Sequence, residues 1–141
     1  KNIAKIFQNL NTDKLDKNKI DAAVNQILIS PDGETTEQAT AVITTTSTTV
    51  DVTITTESGE KYHGKGDGTF NAGNGTSDGY LYTGNKNSLW NNTTYFTIYI
   101  DKNLTYIYFY DSNWYYLGHF DGSGIEACSG YSNGGVGTWS K

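Results

Sequence analysis

The sequence has no arginine and no methionine, and only one cysteine and one proline among 141 residues. Each shortage excludes something. A single thiol cannot build a disulfide framework within the chain or a cysteine-based zinc site. All ten cations are lysines, set against 15 carboxylates for a net charge of -5. Nucleic-acid recognition draws on a basic surface and on bidentate arginine contacts, so no nucleic-acid partner is expected. No apolar run approaches the roughly 18 residues that a membrane-crossing helix needs. The missing methionine at position 1 and the Asn-x-Ser/Thr sequons at Asn74, Asn91, Asn92 and Asn103 fit an exported chain. Secretion, with Lys1 following a removed targeting segment, is the expected localisation.

What is abundant points to strands. The chain carries 11 Tyr, 5 Phe, 3 Trp and 16 Gly, with many threonines, a composition of strands and turns. The first thirty residues differ. They hold five Lys against three Asp and no Gly. Apolar residues recur at Ile3, Phe7 and Leu10, then at Leu15, Ile20, Val24, Ile27 and Leu28. Steps of three to five residues predict one or two amphipathic helices, with Asn11-Thr12-Asp13 as a cap for the second. Ser30-Pro31-Asp32-Gly33 marks the end of this segment, and residues 31–38 read as a polar connector. The expected organisation is an N-terminal helical segment, 1–30, and a β domain, 31–141.

From residue 39 the period becomes two. Ala39, Ala41 and Ile43 alternate with polar neighbours, as do Val50, Val52 and Ile54, and Ser58-Gly59 suits a hairpin turn. Further strands are expected over Tyr62–Gly68, Tyr80–Thr83, Tyr95–Ile100, Leu104–Tyr110, Trp114–Phe120 and Val136–Ser140. Asp101-Lys102-Asn103 and Asp111-Ser112-Asn113 are the turns between three of them. Such close spacing predicts antiparallel pairing, because parallel strands need long crossovers. Eight antiparallel strands predict a closed β-barrel or closed sandwich. Gly64 to Gly68 is echoed by His119 to Gly124 about 56 residues later. Glycine abundance alone can produce such an echo; a true one would mean two four-stranded halves.

Two strands are apolar on both faces. Phe96, Ile98 and Ile100 oppose Tyr95 and Tyr99, while Ile107 and Phe109 oppose Tyr106, Tyr108 and Tyr110. A barrel has one inside, so the tyrosine face needs a second cover. The N-terminal helices can supply it; so can a sugar, a lipid surface or another protein. Binding candidates are therefore Trp90, Trp114 and the Tyr106, Tyr108, Tyr110 stripe. Trp139 alternates with glycines and reads as core.

Other motifs carry less. Gly75-Thr76-Ser77-Asp78-Gly79 spells the nucleophile-elbow pattern, but that turn needs a strand before it and a helix after it, and a strand-like Tyr80-Leu81-Tyr82 follows. Cys128 would need His63 or His119 beside it to act as a nucleophile, and a lone cysteine is normally buried. Asp67, Asp78, Asp111 and Asp121 lie in Gly-, Ser- or Asn-rich stretches and read as turn residues, an alternative being calcium. No EF-hand loop and no zinc-ligand spacing is present, so no metal or other cofactor is expected, nor any catalytic residue.

The C-terminal half resembles a known family. Leu89-Trp90-Asn91-Asn92-Thr93, Phe109-Tyr110-Asp111-Ser112-Asn113, Leu117-Gly118-His119-Phe120, Gly122-Ser123-Gly124-Ile125 and Gly134-Gly135-Val136-Gly137-Thr138-Trp139 occur in an order similar to that of the Vap proteins. These are virulence-associated proteins secreted by intracellular actinobacterial pathogens. The resemblance covers about residues 64–140. It implies a compact eight-stranded antiparallel β-barrel behind a variable N-terminal segment, secretion, and an effector acting on host membranes or endolysosomal compartments. It implies no enzymatic activity and supplies no ligand site to carry over. The arginine-free composition and the helical first thirty residues depart from it. The expectation is a secreted, non-enzymatic binding protein acting at a membrane surface or host protein. Alternatives are a lectin-like module binding carbohydrate, and a self-assembling extracellular protein whose homo-oligomer forms through residues 1–30.

Overall fold

The computed structural model describes residues 2–12, 15–29 and 35–141. Two helices, α1 (Asn2–Asn11) and α2 (Lys17–Ile29), precede eight strands. The strands are β1 (Thr35–Thr45), β2 (Thr49–Thr56), β3 (Lys61–Phe70), β4 (Gly73–Thr83), β5 (Tyr95–Ile100), β6 (Leu104–Tyr110), β7 (Tyr116–Ser123) and β8 (Gly130–Ser140). A short helix α3 (Lys86–Asn92) joins β4 to β5, and a single 3-10 turn (Glu126–Cys128) joins β7 to β8.

All pairings are antiparallel and the sheet closes in the order β1-β2-β3-β8-β5-β6-β7-β4. Read around the barrel this is 4-1-2-3 joined to 8-5-6-7, which is two Greek keys. The glycine-rich echo falls on β3 and β7, the equivalent third strands of the two keys. Closure leaves no edge strand.

The inner face follows from the period of two. Ala41, Ile43, Val52, Ile54, Leu81, Phe96, Ile98, Ile107, Phe109 and Phe120 are all buried inside. Tyr62 stands among them, edge-on to Phe109 at 5.0 Å between ring centroids and tilted against Trp139 at 5.1 Å. The two connections plug opposite ends. Leu89 of α3 enters the core beyond the end of β4, while Ile125 and Cys128 enter where β4 begins, with Ala127 beside Gly73.

Several boundaries differ from the sequence reading, each for a physical reason. Thr35–Gln38, read as connector, already pairs with Tyr80–Thr83. The break at Ser30–Gly33 lies outside the described residues. The glycines of β4 and β8 are strand residues that make room. A Cβ on Gly79 would lie 2.0 Å from the Asp121 carbonyl oxygen, and one on Gly135 would lie 2.3 Å from the Phe96 ring. Asp67, Asp78 and Asp121 consequently sit in strands, and only Asp111 occupies a turn. Trp114 precedes β7 in that turn, with a left-handed φ of +66°. The cap of α2 is Asp16, whose carboxylate accepts the Lys19 amide at 3.0 Å. Asn11 closes α1, Thr12 bonds back to the Gln8 carbonyl, and Asp13 lies outside the described residues.

Candidate functional site

The outer face of β5, β6 and β7 is aromatic, because Ile107 and Phe109 take the inner positions of β6 and send Tyr106, Tyr108 and Tyr110 outward. The N-terminal helices cover this face. Phe7 of α1 is fully buried at its centre, edge-on to Tyr108 at 5.2 Å and Tyr116 at 5.9 Å, and tilted on Tyr110 at 6.0 Å. Ala4, Leu10, Leu15, Ala23 and Ile27 complete the contact. Each large apolar side chain buried this way contributes about 1.5–3 kcal/mol.

Polar bonds fix how the helices sit. The Tyr108 hydroxyl donates to the Ile3 carbonyl at 2.7 Å. The Asn11 amide donates to the Phe7 carbonyl at 2.9 Å and to the Tyr110 hydroxyl at 3.1 Å, and that hydroxyl shares a bond with Thr97 at 2.7 Å. From α2, the Lys19 ammonium donates to the Asn113 carbonyl at 2.6 Å and lies over the Tyr115 ring, 5.0 Å from its centroid. Burial pushes the phenols of Tyr108 and Tyr110 far above their ordinary range, so both stay neutral donors. His119 joins the same face. It stacks on Tyr82 at 4.9 Å, shares a hydrogen bond between Nδ1 and the Tyr116 hydroxyl, and is 5 % exposed. Burial holds its imidazole down to about 3, hence neutral.

Each residue singled out from sequence can now be placed. Tyr106, Tyr108 and Tyr110 are brought together under the helices, where they present no free face to a ligand. Trp114 joins them at the margin, stacked on Tyr95 at 4.2 Å with ring planes 2° apart, and half-buried. Trp90 is elsewhere, on α3, edge-on to Trp139 at 4.8 Å at the plugged end of the barrel. That helix was not anticipated; its signal was Asn85, which caps it by accepting the Ser88 amide at 3.0 Å.

The elbow-like pattern lies inside β4, and the buried Ser77 hydroxyl donates to the Ser123 carbonyl at 2.6 Å. Cys128 is buried at the other plug, and His63 is exposed beside Asp51 at 3.2 Å. Asp111 accepts the amides of Asn113 and Tyr115 at 2.8 and 3.0 Å, the bonds of a turn carboxylate. Among the described residues no cluster of three His, Cys, Asp or Glu could hold a metal ion. Asn74, Asn91, Asn92 and Asn103 are all exposed.

Sequence reasoning missed Glu37 altogether. Its carboxylate pairs with Lys86 of α3 at 3.0 Å and accepts the Ser58 amide at 2.6 Å, joining β1, α3 and the β2–β3 turn. Desolvation alone would raise it; the bonds from Ser58, Lys86 and Thr56 prevail and hold it at about 2.

The barrel is similar to two solved structures from the intracellular pathogen Rhodococcus equi. With virulence-associated protein VapB it shares 22 % identity at a TM-score of 0.71, covering 77 % of this chain and 98 % of that one. With VapD the values are 20 % and 0.72, covering 77 % and 99 %. At these identities the likeness concerns the fold. No curated protein sequence matches the chain. The profile described as Rhodococcus equi virulence-associated protein, however, matches residues 1–140, helices and barrel alike. The chain belongs to that virulence-associated protein family.

Proposed function

We propose that this protein is a secreted, non-enzymatic binding protein that works at an anionic membrane surface through its N-terminal helical layer. The observation that carries the reading is a division of charge. Residues 1–30 hold five Lys and three Asp; residues 31–141 hold five Lys and twelve carboxylates. The helices bury their apolar stripe on the tyrosines and turn lysines outward, Lys5 and Lys17 among them, with the exposed ring of Tyr115 beside Lys19. A lysine held near an anionic lipid surface contributes about 1 kcal/mol, and an interfacial tyrosine suits the headgroup layer. The remaining surface is acidic and favours a single orientation, helices toward the lipid.

Co-flotation of the full chain with phosphatidylserine vesicles at low salt is the test. Binding should fall severalfold in the Lys5→Glu/Lys17→Glu variant and vanish on purely phosphatidylcholine vesicles. Equal binding to both vesicle types, or no effect of charge reversal, would remove the membrane reading.

A further inference from the structure

Among the described residues no helical layer covers the other half of the barrel, and on it residues of β2, β1 and β4 line an open groove of about 630 Å³. Tyr80 stands at its wall, 45 % exposed although its neighbours on both sides are paired strands. Register sets the groups around it. Gln38 is its cross-strand partner on β1, and Asp78 lies two residues back on the same face. Thr40 faces Asp78 and Thr55 faces Thr40 one strand further on. Glu57, at the start of the β2–β3 turn, closes the far side.

The Thr40 hydroxyl donates to Oδ1 of Asp78 at 2.9 Å, which orients the carboxylate and leaves Oδ2 open. Among the described residues, the Gln38 amide, the Glu57 carboxylate and the Tyr80 hydroxyl have no hydrogen-bond partner. An aromatic ring ringed by carboxylate, amide and hydroxyl groups matches a pyranose, which offers an apolar C–H face and a polar edge of donors and acceptors. Among the described residues the groove is lined by two carboxylates and no lysine, so it repels acidic sugars and anionic headgroups alike.

We infer that this groove is a carbohydrate-binding site for a neutral saccharide, stacked on Tyr80 and hydrogen-bonded by Asp78, Gln38 and Glu57. It stands apart from the helical layer and does not depend on the membrane reading. An open site with one ring and few polar anchors binds weakly, on the order of 1 mM.

The experiment is an amide-resolved NMR titration of the full chain with lactose, maltotriose and N,N′-diacetylchitobiose, with 3′-sialyllactose as the anionic probe. Saturable shifts at Gln38, Thr55, Asp78 and Tyr80 are expected with at least one neutral sugar, and weaker ones with sialyllactose. Tyr80→Ala and Gln38→Ala should each weaken binding at least tenfold while distant amides keep their positions. The absence of saturable shifts up to roughly 50 mM, well above the expected constant, would overturn the assignment. So would shifts that map to Trp90 or Trp114, or that survive both substitutions. Perturbation of the same amides by phosphatidylserine vesicles with no sugar response would give the groove to a lipid surface instead.

Discussion

The two Greek keys share a topology and differ in their skins. In β1 to β4 most outward positions are polar and exposed, Gln38, Thr44, Thr53, Lys61, Lys65 and Thr76 among them, with Val42 and Tyr80 as exposed exceptions. In β5 to β7 they are Tyr95, Tyr99, Tyr106, Tyr108, Tyr110 and His119, all buried or half-buried. Both sets alternate with the same kind of aliphatic and aromatic interior, so the inner face dictates the barrel in either key. Where the outer face is hydroxylic and charged, water suffices as its neighbour. Where it is tyrosine, a second layer is needed, and α1 and α2 are that layer.

This contrast can be broken most strongly at Phe7. Phe7→Ala should cost about 3–5 kcal/mol, the range for deleting a buried ring. The loss should fall on the helices, read as lost hydrogen-exchange protection in α1 and α2 with protection in β1 to β3 retained. Loss of protection throughout would mean that the barrel depends on its cover.

Acid should separate the two keys by pH. His119 is neutral in the fold at about 3 against an ordinary 6.5. The unfolded chain therefore takes up a proton first, and stability present above pH 6.5 drains away as pH falls toward 3, by about 2 kcal/mol at pH 5. Glu37 has the other sign of chemistry with the same outcome, in a lower window. Its folded value of about 2 lies below the ordinary 4.5, so its contribution is full above pH 4.5 and is lost as pH falls toward 2. Denaturation series from pH 7 to 4.5 should show a slope that His119→Gln flattens and Glu37→Gln leaves alone. At neutral pH Glu37→Gln should cost about 1–3 kcal/mol, since it weakens a buried set of bonds.

A finer test is Asn11→Ala, which removes the amide between α1 and the Tyr110–Thr97 pair. About 1 kcal/mol is expected in urea denaturation, because Tyr110 keeps its Thr97 partner. The smallest effect belongs to Lys17→Ala. Its ion pair with Asp21 at 3.0 Å is exposed, so loss of at most about 0.5 kcal/mol is expected.

The barrel was legible because alternation in Ala39–Ile43, Val50–Ile54 and Tyr95–Tyr110 admits one reading, and because Asp101 and Asp111 announce their turns. Strand ends at Gly73–Gly79 and Gly130–Gly135 were not. Their glycines look like turns locally and owe their presence to distant atoms, such as the Phe96 ring beside Gly135. The need for a cover over Tyr106, Tyr108 and Tyr110 was visible from their two-sided strand. That the helices provide it depends on tertiary contacts such as Phe7 with Tyr108, which no local pattern encodes. The Tyr80 groove was hidden for the same reason: Gln38, Thr55 and Asp78 are far apart in sequence and meet only through register.

The plugged, ring-filled interior has a last consequence. Tyr62, Phe96, Phe109 and Trp139 occupy the volume where barrels of other kinds stow a lipid or pigment. Among the described residues the middle of the barrel is packed with rings, which makes this molecule a bead rather than a cup.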